Sequence, residues 1–364
     1  MNVCWTGAPL GHVALAPNLQ PVDRRSRRSE LPRGKLGRWE APLFLLATLA
    51  CTSPDDAADD STSTGPDSDS VAPGPSGDPA TVELAGDCPL EERVGGFQVS
   101  IYEDYSLVQG AVADAVVPIA VLEQVANEGE CRLLRRNNPH CDPACASGFT
   151  CDFDGECIDY PANQDLGSVK LLGLDQVVVM DPVQPGNSYF DTSLPHPAFS
   201  QGQLIELRAT EGWSGAWDLH GVGSEILVPG SLEWVISGGE DLQVTWQAPP
   251  EGARSHLQLK LNIDQHGTSP VSVLCELEDD GQGSVPGSLI QALVAYGVSG
   301  FPSASLSRRT VDQVRLELAE GGCFDLVVDT PVHIDVDVLG FTPCKDSDDC
   351  PDDQTCNLEL EICQ

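Results

Sequence analysis

The sequence lacks an apolar run long enough to cross a membrane as a helix. The run APLFLLATLA at 41–50 has ten residues, against about 20 for a bilayer span, and Pro42 lies inside it. Basic residues are scarce, with 19 Lys and Arg against 56 Asp and Glu and a formal net charge of −37. The first 50 residues hold seven of the basic residues and three of the acidic ones, leaving 12 against 53 from Cys51 onward. Such a surface repels nucleic acid and anionic lipid headgroups. There is no G-x-S-x-G and no H-E-x-x-H, so neither a nucleophile elbow nor a zinc-protease helix is present. The histidines after Cys51 (His140, His196, His220, His256, His266 and His333) are scattered over different segments. Closely spaced C-x2–4-C pairs, which zinc sites favour, are also missing apart from Cys141–Cys145.

The short apolar run has a context. Arg24, Arg25, Arg27, Arg28, Arg33, Lys35 and Arg38 precede it, and Asp55, Asp56, Asp59 and Asp60 follow. A basic region, a short apolar region, small residues and then a cysteine form the layout of a secretory signal. Thr48-Leu49-Ala50-Cys51 resembles a bacterial lipobox, although Thr48 stands where leucine is usual. That resemblance implies lipidation of Cys51 and a membrane partner through the anchor. The expected location is the cell envelope, at the outer membrane or cell surface. Stable anchoring needs two or more acyl chains, at about 0.8 kcal/mol per buried CH₂. Residues 51–86 are rich in Asp, Ser, Pro and Gly and nearly free of large apolar side chains. Such a segment cannot bury enough surface to offset its ordering entropy, which predicts a disordered acidic tether.

Fourteen cysteines are present. Beyond Cys4 and Cys51, twelve remain: Cys88, Cys131, Cys141, Cys145, Cys151, Cys157, Cys275, Cys323, Cys344, Cys350, Cys356 and Cys363. An even count in an exported chain predicts six disulfides. Cys131–Cys157 and Cys344–Cys363 form two clusters with no room for a hydrophobic core, so bridges must hold them. Five cysteines in the first cluster require one partner from outside, with Cys88 the nearest candidate. Cys275 and Cys323 are then left to pair across the β domain.

Gly 35 and Pro 28 favour turns and short strands over long helices. FQVSIYED and YSLVQGAV read as an N-terminal strand pair, and GSVKLLGL and DQVVVMDP as two more. Alternation is clear at Ile205/Leu207/Ala209, Leu232/Trp234/Ile236, Leu242/Val244/Trp246 and Leu257/Leu259/Leu261. It continues at Val271/Val273/Cys275/Leu277, Val314/Leu316/Leu318 and Val332/Ile334/Val336/Val338. One short helix is expected in SVPGSLIQALVAYG, with Pro286 at its start and Gly297 at its end. The fold class is mainly β: an antiparallel β-sandwich with one short helix and small disulfide-rich modules. The expected segments are 1–50 signal, 51–86 tether, 87–130 N-terminal strands, 131–160 disulfide-rich insert, 161–342 sandwich and 343–364 C-terminal module.

DLQVTWQAPP resembles an early strand of a fibronectin type III-like domain, with Trp246 in the core. GECRLLRRNNPHCDPACASGFTC, GQLIELRAT, LQVTW, VLCELEDDGQGSVPGSLIQAL and CKDSDDCPDDQTC together resemble uncharacterised Cys-rich surface lipoproteins of myxobacterial type. The likeness covers most of the chain after Cys51 and carries no catalytic residues with it.

Candidate chemistry is thin. Asp218-x-His220 places both groups on the strand face opposite Trp217 and Leu219, and His333, Asp335 and Asp337 repeat that arrangement. Such pairs can bind a metal but more often form a solvated polar row. Asp152-x-Asp154-Gly155 is a fragment of an EF-hand loop, but Thr150 and Pro161 then fall at the first and last ligand positions, which excludes that motif. Asp346, Asp348, Asp349, Asp352 and Asp353 could form only a looser oxygen cage. No cofactor is expected, with calcium a weak alternative. Trp213, in a Gly-rich turn, could face a sugar ring. The candidate ligand set is therefore Trp213, Asp218 and His220, with no catalytic residue. The expected function is a non-enzymatic binding or adhesion module with a glycan or protein ligand and no nucleic acid. A hydrolase with an unrecognised site and a structural coat protein are the alternatives.

Overall fold

The computed structural model describes residues 74–263, 270–317 and 321–364. The signal segment, Cys51 and the tether up to residue 73 lie outside the described residues, as do His266 and Leu318. Among the described residues no helix is long and apolar enough to cross a membrane.

The elements run in chain order as β1 (Arg93–Ile101), β2 (Ser106–Val112), β3 (Leu122–Glu128), β4 (Cys131–Arg136), β5 (Phe149–Cys151) and β6 (Cys157–Asp159). Next come β7 (Val169–Leu172), β8 (Val178–Met180), β9 (Tyr189–Asp191), β10 (Leu204–Ala209), β11 (Trp217–Val222), β12 (Glu233–Ile236) and β13 (Leu242–Thr245). Then follow β14 (His256–Asn262), β15 (Val271–Glu278), β16 (Gln282–Val285), α1 (Gly287–Val294), β17 (Ser303–Arg315) and β18 (Cys323–Val338). The short pair β19 (Cys356–Asn357) and β20 (Ile362–Cys363) ends the chain.

The fold is mainly β and disulfide-rich. A ten-stranded sheet has the order β3-β4-β15-β14-β17-β18-β1-β2-β9, with β12 also paired to β18. A four-stranded sheet, β11-β10-β7-β8, forms the second layer over one half. The β13–β16 pair and α1 cover the other half. Most pairings are antiparallel, as alternation implied, but β1 and β12 both run parallel to β18. The expected N-terminal strands are therefore part of the main sheet.

One face of β18 serves two cores in succession, because its even-numbered side chains all point to the same side along the length of the strand. Phe324, Leu326 and Val328 pack with Phe97, Val99, Ile205 and Leu207 in the first core. Ile334, Val336 and Val338 pack with Leu257, Leu259, Trp246 and Leu289 in the second. Between them β17 presents Arg308, Thr310 and Asp312, all buried. These side chains also finish the edge of the second layer. The backbone N–H groups of His220 and Val222 on β11 donate to Asp312 Oδ2 (2.9 Å) and Thr310 Oγ1 (3.0 Å). Edge-strand donors that would otherwise lie buried and unpaired are thereby satisfied. Arg308 donates to both carboxylate oxygens of Asp279, at 2.7 and 3.1 Å, and the side chains of both residues are buried. The bidentate pairing is what lets a charged side chain occupy this place.

All twelve cysteines beyond Cys51 are bridged, but two bridges correct the expected pairing. Cys131 pairs with Cys275 and Cys88 with Cys323. The reason is that Cys131–Arg136 adds to the main sheet beside β15, where Cys131 lies directly across from Cys275. The stapled insert proper therefore begins at Cys141. Its bridges, Cys141–Cys151 and Cys145–Cys157, interleave. Cys344–Cys356 and Cys350–Cys363 interleave in the same way in the C-terminal module.

Residues 76–86 correct a second expectation, since they form a strap on the body instead of continuing a disordered tether. Ser76 N–H donates to Glu206 Oε2 (2.5 Å) and Ala85 N–H to Asp312 Oδ1 (2.9 Å). Arg254 Nη1 reaches the Pro79 carbonyl at 2.9 Å. Fixed polar groups on the body hold this backbone, a contribution that a count of apolar side chains leaves out.

Candidate functional site

The candidate ligand residues do not converge. Trp213 sits in the β10–β11 turn, its backbone N–H donating to the Asp165 carbonyl (2.9 Å), and the residue is 40% exposed. Trp217 is in the core as expected, with its indole N–H on Ser214 Oγ at 3.0 Å. Asp218 is exposed on the face opposite Trp217, across from Arg208. His220 is mostly buried, with Nδ1 3.8 Å from Asp218 Oδ2 and 4.0 Å from Asp312 Oδ2. Its Nε2 is buried without a hydrogen-bond partner. The concavity of about 220 Å³ near β11 is lined by Gly223, Glu225 and Arg254 among others, and by none of the three candidates.

Other clusters have structural work to do. Ser106 Oγ lies 3.0 Å from His196 Nδ1, a nucleophile–base separation by distance. Ser106 is 1% exposed, however, and accepts the Ala198 N–H at 3.1 Å. A buried hydroxyl cannot attack a substrate, so this contact pins the chain before β10. Asp87, His256 and Glu276 bring ligand-type atoms within 4.8 Å of one another. Arg309 Nη2 already bonds Asp87 Oδ2 at 3.0 Å and both Glu276 oxygens at 2.9 Å. The guanidinium thus holds the place a metal ion would need. Burial first, and then the Arg309 charge, push the His256 pKa down. His333, Asp335 and Asp337 form the exposed row expected of them.

The acid-rich loops use their carboxylates locally. Asp152 Oδ1 accepts the Asp154 and Glu156 N–H groups at 3.0 and 2.8 Å. Asp349 Oδ2 accepts those of Lys345 and Asp346 at 2.8 and 3.3 Å, and these bonds hold its carboxyl below the usual range. Asp346 caps the short turn Ser347–Asp349 through Asp348 N–H. Both loops are thus organised as Asx-type turns.

A further concavity among the described residues lies where the sequence suggested no site. A groove of about 800 Å³ crosses the outer face of β18, β1, β2 and β9. Strand register explains its shape. Asp325, Gly96 and Ala111 stand side by side in one row, and Val327, Gln98, Gln109 and Phe190 in the next. Gly96 and Ala111 leave the first row nearly bare, and a Cβ at Gly96 would collide with the Asp325 carboxylate. The second row is pinned from below. Gln98 Nε2 donates to both oxygens of Asp329 (3.3 and 3.1 Å), and Gln109 Nε2 donates to Gln98 Oε1 at 3.5 Å. Asp329 also accepts from Ser100 Oγ (2.6 Å) and Ser307 Oγ (2.8 Å). Burial raises the Asp329 pKa against these bonds, and burial likewise raises that of Asp325 against the Arg93 charge. Alternation in FQVSI and YSLVQG could have marked Gln98 and Gln109 as outward. Their union with Phe190 depends on register between strands far apart in sequence.

No protein-family model and no curated protein matches this chain. Among solved structures, the FN1–FN3 domains of chicken CNTN1 match at 7% identity and a TM-score of 0.16. That match covers 57% of this chain and 64% of the other, so the chain spans less than two thirds of the CNTN1 structure's length. Domains 4 and 5 of the S-layer protein SbsC match at 11% identity and a TM-score of 0.14, covering 59% of this chain and 100% of the other. Likeness at these scores carries no statement about function.

Proposed function

We propose that this chain is an exported, lipid-anchored binding module of the cell envelope, without catalytic activity. The observation that carries this reading is the pairing of every cysteine after Cys51 into six bridges. Such dense pairing belongs to an oxidising compartment outside the cytosol. The lipobox-like Thr48-Leu49-Ala50-Cys51 supplies the anchor in this reading, and the Asp/Ser/Pro/Gly-rich stretch after it is a spacer by composition. Two features favour binding over turnover. The described histidines engage neighbouring carboxylates or the backbone, or sit in solvent, and the central row of the groove over β18, β1, β2 and β9 holds amides in place of a nucleophile and base.

The test uses the full chain in an exporting bacterial host. Cys51→Ala should move the protein from the membrane fraction to the soluble fraction, and retention after a high-salt wash would overturn the anchor. The purified full chain should show no turnover of ester, peptide or glycoside substrates. Turnover abolished by His220→Ala or Asp218→Asn would favour the hydrolase instead.

A further inference from the structure

We infer that the groove across β18, β1, β2 and β9 binds a neutral oligosaccharide, an inference that rests on the binding-module reading and names its ligand class. Four features of the groove point the same way. At one end Phe190, 56% exposed, lines the groove in register with Gln109. An exposed aromatic face beside hydrogen-bonding groups suits a pyranose, which has one face of C–H groups and a rim of hydroxyls. In the middle, the amide orientation is fixed. Asp329 accepts hydrogen bonds, so the Gln98 NH₂ must face it and the Gln98 carbonyl must face Gln109. Gln109 is exposed, and it presents its remaining N–H and its carbonyl to the groove. A planar donor–acceptor pair held in this way loses little entropy on meeting adjacent hydroxyls.

The other end is imperfectly satisfied. Arg93 Nη2 lies 2.6 Å from Asp325 Oδ2 in an ion pair, while the buried Arg93 Nε has no acceptor. Buried polar atoms are nearly always paired, so each such exception calls for an explanation. The Arg93 side chain is 34% exposed and also reaches Asp87 Oδ1 at 3.4 Å, so it has somewhere to move. The part-exposed guanidinium can donate to a ligand hydroxyl at this end, with the buried Asp325 carboxylate holding it in place. The first row stays low, with the Asp325 carboxylate over Gly96 and only a methyl group at Ala111, so a ring can lie along it between the two ends. From β18 to β9 there are three strand spacings, about 14 Å, which suits a short oligosaccharide more than a single sugar. Neutrality follows from charge. Among the described residues that line the groove, Arg93 is the one cation, it is already paired with Asp325, and the chain carries −37. An anionic glycan would therefore be repelled.

The test is titration of the full chain, purified in detergent, with cellohexaose, maltohexaose and chitohexaose, and with a hyaluronan hexamer as the anionic probe. Saturable binding of at least one neutral hexamer is expected, with the anionic probe at least about tenfold weaker. Phe190→Ala and Gln109→Ala should each weaken binding about tenfold or more, with an unchanged unfolding midpoint, while Trp213→Ala should leave it unchanged. Three results would overturn the inference: no saturable binding of any neutral hexamer, binding indifferent to both groove variants, or preference for the anionic probe. Cell attachment by the same protein separates the two levels. Attachment that survives both groove variants defeats this inference and leaves the binding module standing. Failure of the wild-type chain to attach to cells or to any hexamer defeats both.

Discussion

The hairpin β17–β18 buries Phe324, Leu326 and Val328 in one core and Ile334, Val336 and Val338 in another. The hairpin β5–β6 buries no residue, and β19–β20 buries only Ile362 and Cys363. From residue 141 to 160 only Cys141 is buried, and from 344 to 364 only Cys344, Ile362 and Cys363. Yet both small modules hold a defined backbone through the same device. Two interleaved bridges fix each module, and the hairpin sets one cysteine of each bridge directly across from one of the other, Cys151 from Cys157 and Cys356 from Cys363. The contrast separates two sources of order. In the body, burial of apolar area opposes chain entropy in the folded state. In the modules, cross-links remove entropy from the unfolded state. The C-terminal module adds a weak dock, with the Gly300 N–H donating to the Leu360 carbonyl (2.7 Å) and Lys345 Nζ 5.3 Å from the centre of the Phe301 ring.

The sharpest break in this contrast is a cavity in the body. Phe324 touches the rings of Trp217 and Phe97, with centroids 5.0 and 6.4 Å away. Phe324→Ala should cost about 3–5 kcal/mol, the usual range for a buried ring. Denaturant unfolding of the full chain should show that loss, while alkylation of the denatured, unreduced variant still finds no free thiol after Cys51. A loss under about 1 kcal/mol would mean that the bridges, not the cores, hold the body.

A smaller and more local effect is expected from the modules. Replacing Cys350 and Cys363 together by serine removes a loop closure that theory puts at about 3 kcal/mol for some 15 residues. Because 344–364 has little core of its own, the loss should appear there as rapid amide exchange and early proteolysis. The midpoint of the body should move by less than about 1 kcal/mol. An equal loss in the body would show that the dock through Leu360 and Lys345 makes the module part of it.

The same contrast explains what could be read beforehand. The body was legible where alternation was clean, as at Leu257/Leu259/Leu261 or Leu242/Val244/Trp246, because a period of two and a buried face imply each other. It was illegible in β17, where alternation suggested a strand only from Val314 and the strand in fact spans Ser303–Arg315. There Ser305, Ser307 and Arg309 face one side and Arg308, Thr310 and Asp312 the other, so both faces are polar. Burial comes from pairing, Arg308 with Asp279 and Arg309 with Glu276, and hydrophobicity patterns are blind to pairing. The cysteine count gave the number of bridges, whereas their partners depended on which strands lie side by side. For the candidate site, alternation placed Asp218 and His220 opposite Trp217, but the packing of Asp312 against His220 joins residues 92 positions apart. The groove depends on register in the same way.

The smallest expected effect concerns the polar seam, and it is a matter of sign. Burial holds the Asp329 pKa above its usual 3.8, opposed by hydrogen bonds from Ser100, Ser307 and Gln98 and by the Arg309 charge. In the folded chain this carboxyl therefore keeps its proton at pH values where the unfolded chain has released it. Stability from this group is fully present below pH 3.8 and falls as pH rises through the folded value, after which it is level. Most surface carboxylates that are paired in the fold act in the opposite sense, so the seam should offset part of the usual loss in acid. Asp329→Asn removes the titration while keeping the shape. Its carbonyl can accept from Ser100 and Gln98, and its NH₂ can face Ser307, whose hydroxyl can turn to accept. The variant should lie within about 1 kcal/mol of the wild type at the acid end of the window, as expected when hydrogen bonds are exchanged and not lost. It should then gain on the wild type as pH rises through the window. Denaturant midpoints for the two proteins, measured from pH 3.5 upward, read that difference directly. A difference that stays flat with pH, or one that grows toward acid, would show that Asp329 is ionised throughout and that Arg309 with the three donors outweighs its burial.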